Sequence, residues 1–333
     1  MTQPLRLSGP AEVLAAIPSL LGFRPHGSMV LLAMQPDLVV ACAARADLPS
    51  PDDVGQWSRT FLPAVQHTSG ASAILVGFCA PDDDPHLSAC FAALSRLLRD
   101  LGIPVLDMIA VPGDRWRSLM CRDIHCCPRE GWPVDLLDED FMRVRLGVSN
   151  VASSRGDLVA ELDPRSEGLL SDEDLATAPI VDEGDRDKAI EGIVARLVDS
   201  DAEDLSGRDG VMLLSGLRDV RVRDTVLWDL IHRHPEGWSR AAVRLANALR
   251  AAPSAFVPPV ATVLAIVRWQ MGDGARARIA LDRACLADPG YTLALLIGGM
   301  LDHGQPPWTW RAALAELPRA ACRGAVTSMS SPG

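Results

Sequence analysis

A chain of 333 residues is long for a single domain, and with 48% hydrophobic and 23% charged residues its composition excludes a disordered polymer. A formal net charge of −11 disfavours nonspecific attraction to nucleic acid or to an anionic membrane, because that attraction comes from cations neutralising phosphates. The longest apolar run, Leu293 to Leu301, is nine residues long, against the roughly 20 needed to span a bilayer.

Near the start, Glu12 and Pro18 break the apolar stretch, unlike a secretory signal, so a cytoplasmic location is expected. The eight cysteines are then expected to stay reduced and are not read as a disulfide framework. Gly9 to Leu21 predicts a helix, with Pro10 in its first turn and Val13, Leu14, Ile17, Leu20 and Leu21 on one side before Gly22. Met29 to Met34 and Leu38 to Ala44, separated by Gln35-Pro36-Asp37, predict a β-hairpin. Helix is expected from Pro51 to Gln66, although Pro63 unsettles its last turn.

Ala73 to Phe78 reads as a buried strand. From His86 to Leu101, the residues Leu87, Cys90, Phe91, Leu94, Leu97, Leu98 and Leu101 fall at helical spacing, and Gly102 stops the helix. Strands follow at Val105 to Val111 and, as a second short run, at Arg115 to Cys121. The alternation predicts an α/β domain over residues 1–150, and the hairpin makes its sheet mixed.

Residues 151–205 are acidic and contain Pro164 and Pro179; they are read as a connector holding one helix, Asp187 to Val198. Residues 206–333 show no strand pattern. Helices are expected at Val211 to His232, Ser239 to Leu249, Pro259 to Met271, Ala275 to Leu286, Tyr291 to Asp302 and Trp308 to Leu317, punctuated by Gly or Pro. Short loops between them predict an all-α domain of helical hairpins. Within it, Trp269, the turn Gly272-Asp273-Gly274, the small residues Ala277 and Ala284, and Pro289 resemble a tetratricopeptide-like unit.

Three stretches resemble an actinobacterial family known as domain of unknown function 4192. The first runs from Leu7-Ser8-Gly9-Pro10 through Leu14-Ala15-Ala16-Ile17-Pro18 to Leu21-Gly22-Phe23-Arg24-Pro25 and Ser28. The second, Cys121 to Gly131, is similar to that family's Cys-Cys-Pro element after an aromatic strand, here Arg115-Trp116-Arg117. The third is Arg223-Asp224 with the Trp269, Gly272-Asp273-Gly274 and Asp288-Pro289-Gly290 positions. The resemblance covers nearly the whole chain. It implies lineage and a cytoplasmic location, and it implies no reaction.

Cys121, His125, Cys126 and Cys127 form the densest chemical cluster, a candidate thiol or metal element. Soft thiolates and an imidazole bind zinc, but structural zinc sites present two ligand pairs separated by a long gap, and adjacent cysteines seldom aim both sulfurs at one ion. A redox role needs a low-pKa, accessible thiolate, which Arg122 and Arg129 would favour. The leading reading is a structural turn stiffened by Pro128 and Gly131, with no metal.

Arg24, His26 and Ser28 make a candidate anion-binding loop between a helix and a strand. Phosphate loops run the other way, from strand to helix N-terminus, so Arg24 is expected to order the loop. His232 and His234 read as helix capping, and Arg221, Arg223, Arg240 and Arg244 as a solvated helix surface or a basic face for an acidic partner. No nucleophile elbow, dinucleotide fingerprint or metalloprotease motif is present.

The first functional reading is therefore an interaction or regulatory protein using a helical-hairpin surface, with an unidentified protein partner and no cofactor, membrane or nucleic acid. The alternative is an enzyme, or a redox- or metal-responsive protein, with its site near Cys121 to Cys127. Convergence of that element with the Arg24 loop on one pocket would favour the enzyme.

Overall fold

The run Ser28–Met34 is buried along its whole length. Such a strand needs apolar cover on both faces, which places it inside a sheet and away from the edge. In the computed structural model, which describes residue 7 and residues 9–67, 72–148, 150–165, 182–199 and 207–324, this run is β1 of a six-stranded sheet. The others are β2 (Val40–Asp47), β3 (Ser72–Cys79), β4 (Val105–Pro112), β5 (Arg115–Ser118) and β6 (Trp132–Pro133), in the order β2-β1-β3-β4-β5-β6.

β1 pairs antiparallel with both β2 and β3, β3 pairs parallel with β4, and β5 and β6 add antiparallel strands at one end. The sheet is therefore mixed, as the hairpin requires. A parallel neighbour needs a crossover, supplied here by the Asp84–Asp100 helix. Its Leu87, Cys90, Phe91, Leu94 and Leu98 are buried in one cluster with Met29, Leu31, Leu75 and Ala110. Each fully buried leucine contributes about 1.5–3 kcal/mol relative to an exposed one. The helix can lie this close because β3 has a glycine beneath it: a Cβ on Gly77 would stand 2.3 Å from Leu87 Cδ1.

The expected Pro51 to Gln66 helix is a chain of short pieces, two 3₁₀ turns alternating with Val54–Trp57 and Leu62–Gln66. Pro63 opens the last piece instead of ending it, since a first-turn residue needs no N–H. Two helices up to residue 160 are unexpected, Arg155–Ala160 in the stretch read as a connector and, before it, Glu139–Arg145. Only Met142 in Glu139–Arg145 is buried, so its sequence carries no apolar period; Asp138 starts it by accepting the Phe141 N–H at 2.9 Å. Met142 packs with Ala15 and Ala16 of the Pro10–Leu21 helix.

The chain divides into two compact units, Met1–Leu158 with Asp302–Gly304, and Val159–Leu301 with Gln305–Gly333. The second is helical, and no strand occurs among its described residues. Of the stretch read as a connector, residues 166–181 and 200–205 lie outside the described residues. The helix expected at Asp187 to Val198 is present as Arg186–Val198, and it buries Ile190, Ile193, Val194, Leu197 and Val198.

The single helix expected over Val211 to His232 is two, Gly207–Arg218 and Val220–His232. The cause is Asp219: its extended backbone breaks the helix, and its carboxylate accepts the N–H groups of Arg221 and Val222 at 2.8 and 3.3 Å, capping the next one. Later helices, Trp238–Ala251, Val257–Gln270, Gly274–Ala287, Thr292–Asp302 and Pro307–Ala315, fall where the periodicity puts them. None of the described helices is long and apolar enough to cross a membrane.

Val257–Gln270 is buried on nearly every side, the mark of a central helix. Gly274–Ala287 packs on it through Ala277, Ala280 and Ala284, all fully buried, so methyl-sized side chains set the distance between the two helices. Ala277→Leu forces extra methylenes into this contact and is expected to destabilise the protein by about 1–3 kcal/mol. Denaturant unfolding checks this; a loss below about 0.5 kcal/mol would show that the contact is loose.

Candidate functional site

β5 ends at Ser118, whose hydroxyl donates to Asp107 Oδ1 of β4 at 2.6 Å and accepts the N–H groups of Met120 and Cys121 at 3.2 and 3.1 Å. The chain leaving the sheet is thereby bent at Cys121. Asp123 then folds the next stretch back: its carboxylate takes the His125 N–H at 2.8 Å, and its carbonyl takes the Cys127 N–H at 2.7 Å. On the far side, Trp132 Nε1 donates to the Cys126 carbonyl at 2.8 Å, and the Arg115 guanidinium donates to the carbonyls of Glu130 and Gly131, both at 2.6 Å. The turn is therefore held at both ends and in its middle.

This fold brings the sulfurs of Cys121, Cys126 and Cys127 within 4.8 Å of one another. The spacing argument pointed the other way, because it treats adjacent cysteines as side chains that diverge; the Asp123 turn makes them converge. His125 is not part of the group, and only its backbone joins the turn, through Asp123. Cys126 is exposed and the other two are half-buried. Burial first, and then the neighbouring Cys121 and Cys126, push the Cys127 thiol up to about 11, partly offset by the Ser118 backbone N–H directed at its sulfur. A thiol so placed is protonated at neutral pH, so Cys127 itself is a poor nucleophile.

The Arg24 loop is a separate arrangement. Arg24 is exposed and donates through Nε and Nη2 to Glu139 Oε2, at 3.0 and 2.7 Å. Phe23 and Ala152 form an isolated parallel bridge that anchors the loop. His26 is exposed, whereas Ser28 is fully buried at the start of β1. The three candidate anion ligands therefore do not face one ligand: the cation is matched by a carboxylate, and the hydroxyl is out of reach of solvent.

A cavity of about 130 Å³ beside Arg24 is lined by Pro18, Glu139, Arg143 and Val151 among others. It is smaller than the roughly 300–1,000 Å³ of small-molecule sites. Among the described residues, it includes none from 121–127, and the loop and the thiol turn share no hydrogen-bond partner. The convergence that would favour an enzyme is not found there.

In the helical unit, two of the four arginines read as surface groups are interior. Arg223 is 8% exposed, with Asp224 Oδ1 at 2.7 and 2.8 Å and the Tyr291 hydroxyl at 2.6 Å, and Arg244 is 3% exposed, donating to the Leu197 carbonyl at 2.6 Å. Only Arg221 and Arg240 of the four are exposed, so these positions do not build one basic face. Nor is His232 a charged cap. Burial first, then Arg311, lower its pKa and favour the neutral ring, while His234 stands 3.7 Å from Glu236.

Sequence reasoning missed the Asp229 cluster. Asp229 is 4% exposed and accepts from Arg319 Nε and Nη2 at 2.7 and 2.6 Å, with Arg233 Nε at 3.5 Å. Its only signal was an aspartate between apolar residues in a helix, at Leu227 to Ile231.

Comparison with known proteins adds lineage. The model of the family described as Domain of unknown function (DUF4192) matches residues 10–308. No curated protein and no solved structure matches the chain.

Proposed function

The chain belongs to the domain of unknown function 4192 family, a lineage that carries no assigned chemistry, and from its surface we propose an interaction or regulatory protein whose helical-hairpin unit receives a segment of a protein partner in the cytoplasm. One observation carries this reading. The Thr292–Asp302 helix buries only Ala294, Ile297 and Gly298, while Leu295 and Leu296 beside them are 53% and 52% exposed. Trp308 at the start of the next helix is 59% exposed. Scattered apolar residues need no explanation, but adjacent leucines and a tryptophan on consecutive helices are the kind of surface that takes the apolar side of an amphipathic helix.

Support for a tetratricopeptide-like unit comes from the Val257–Gln270 and Gly274–Ala287 pair, joined by the Gly272 turn and held close by Ala277 and Ala284. In that repeat, paired helices present a surface to peptides.

The test is capture with crosslinking, comparing the wild-type chain with a Leu295→Asp, Leu296→Asp double variant. Both positions are exposed, so folding is expected to be unchanged to within about 0.5 kcal/mol. Capture of a specific partner, with crosslinks mapping to residues 292–308, is expected to fall at least about tenfold in the variant. Recovery of the same proteins at the same level by both chains would refute the assignment of this surface.

A further inference from the structure

The geometry points to a metal site at the end of β5: Cys121, Cys126 and Cys127 form a three-thiolate site for one soft d¹⁰ cation of the zinc class, with its fourth position open to solvent.

The first support is distance. Zinc–sulfur bonds of about 2.3 Å at tetrahedral angles set bound sulfurs about 3.8 Å apart. The three sulfurs here already lie within 4.8 Å of one another, so closure on an ion takes rotamer adjustments and no refolding of the turn. Preorganisation is the second. Asp123, Ser118 and Trp132 fix the backbone on both sides of the cysteines through the bonds described above, all of them without using a sulfur as the anchor. Such outer partners are what orient ligands in metal sites.

The third support is chemical. Thiolates are the soft ligands that a cation of this class takes, and its binding displaces their protons. Three protein ligands with the exposed Cys126 on the outside leave a coordination position free, the pattern of zinc sites that exchange a ligand. An iron–sulfur cluster fits less well, because the common clusters take four cysteines.

The full-length protein, reduced and stripped with a chelator, is titrated with cobalt(II) alone and then with zinc(II). Expected are one ion per chain, a sulfur-to-cobalt charge-transfer absorption that zinc removes, and release of about three protons per ion near neutral pH. Cys121→Ser and Cys127→Ser are each expected to weaken zinc affinity at least about tenfold. Cys126→Ser, at the exposed position, tests the same point should a half-buried variant fail to fold. Cys285→Ser and Cys322→Ser should leave the signal unchanged. Absence of the charge-transfer band, a metal affinity unchanged in the Cys126→Ser and Cys127→Ser variants, or uptake that does not saturate at one ion would overturn the site. So would formation of a disulfide among the three cysteines in air that is not prevented by zinc.

Discussion

Asp229→Ala is expected to destabilise the helical unit by about 3 kcal/mol, the lower end of what breaking a buried ion pair costs. The carboxylate is 4% exposed and takes two charge-assisted hydrogen bonds from one guanidinium, Arg319 Nε to Oδ1 at 2.7 Å and Nη2 to Oδ2 at 2.6 Å. Removing it leaves Arg319, whose side chain is only 21% exposed, desolvated without its partner. The residual exposure of Arg319 keeps the figure near the low end of the range. Because Arg319 comes 90 residues after Asp229 in sequence, the pair also holds the Arg319–Cys322 turn against the Val220–His232 helix.

Urea unfolding of the variant measures the loss. A double-mutant cycle with Arg319→Met then separates the pair from its surroundings: the double variant should be more stable than the sum of the singles predicts, by about 0.5–3 kcal/mol. A single-variant loss below about 1 kcal/mol would mean that the pair behaves as a surface salt bridge.

Gly131→Ala is the second large effect, expected at about 2–4 kcal/mol from backbone strain and steric overlap together. Gly131 has φ of 72°, in the region that disfavours a Cβ, and a Cβ there would stand 2.6 Å from the Trp116 carbonyl oxygen and 3.1 Å from its carbon. Those atoms belong to the backbone of β5 and cannot yield as a side-chain tip does. The two-residue strand β6 depends on this approach, since Trp116 pairs with Trp132 directly after Gly131. Relief of the clash must move β6, and with it Trp132 and its hydrogen bond to the Cys126 carbonyl. Thermal unfolding gives the stability loss, and quenching of tryptophan fluorescence by acrylamide is expected to rise as Trp132 comes away. A variant as stable as the parent, with unchanged quenching, would show that the 121–131 turn is not clamped by β6.

Local pattern made much of the fold legible. The Asp84–Asp100 helix was visible because Leu87, Cys90, Phe91, Leu94 and Leu98 recur at its period, and the strands around it because their apolar runs are continuous. The helical unit could be read for the same reason, since burial on one side repeats every three or four residues. Glu139–Arg145 escaped because one buried residue, Met142, makes no period. The break at Asp219 escaped because the apolar residues continue through it, and a side chain that caps a helix looks the same in sequence as one that faces water.

The sequence alone determined the fold class, a mixed sheet with helices followed by an all-helical part, because both rest on periodicities that neighbouring residues share. It also marked Cys121, Cys126 and Cys127 as the densest chemistry. Tertiary structure decided what those residues face. Whether three sulfurs converge depends on Asp123 and Ser118 bending the chain at the end of β5, and whether Arg223 is a surface charge or an interior one depends on Tyr291, 68 residues away. Periodicity records that a side chain is buried; the partner that makes burial of a charge or a thiol tolerable is supplied by distant chain, and only the folded backbone brings it there.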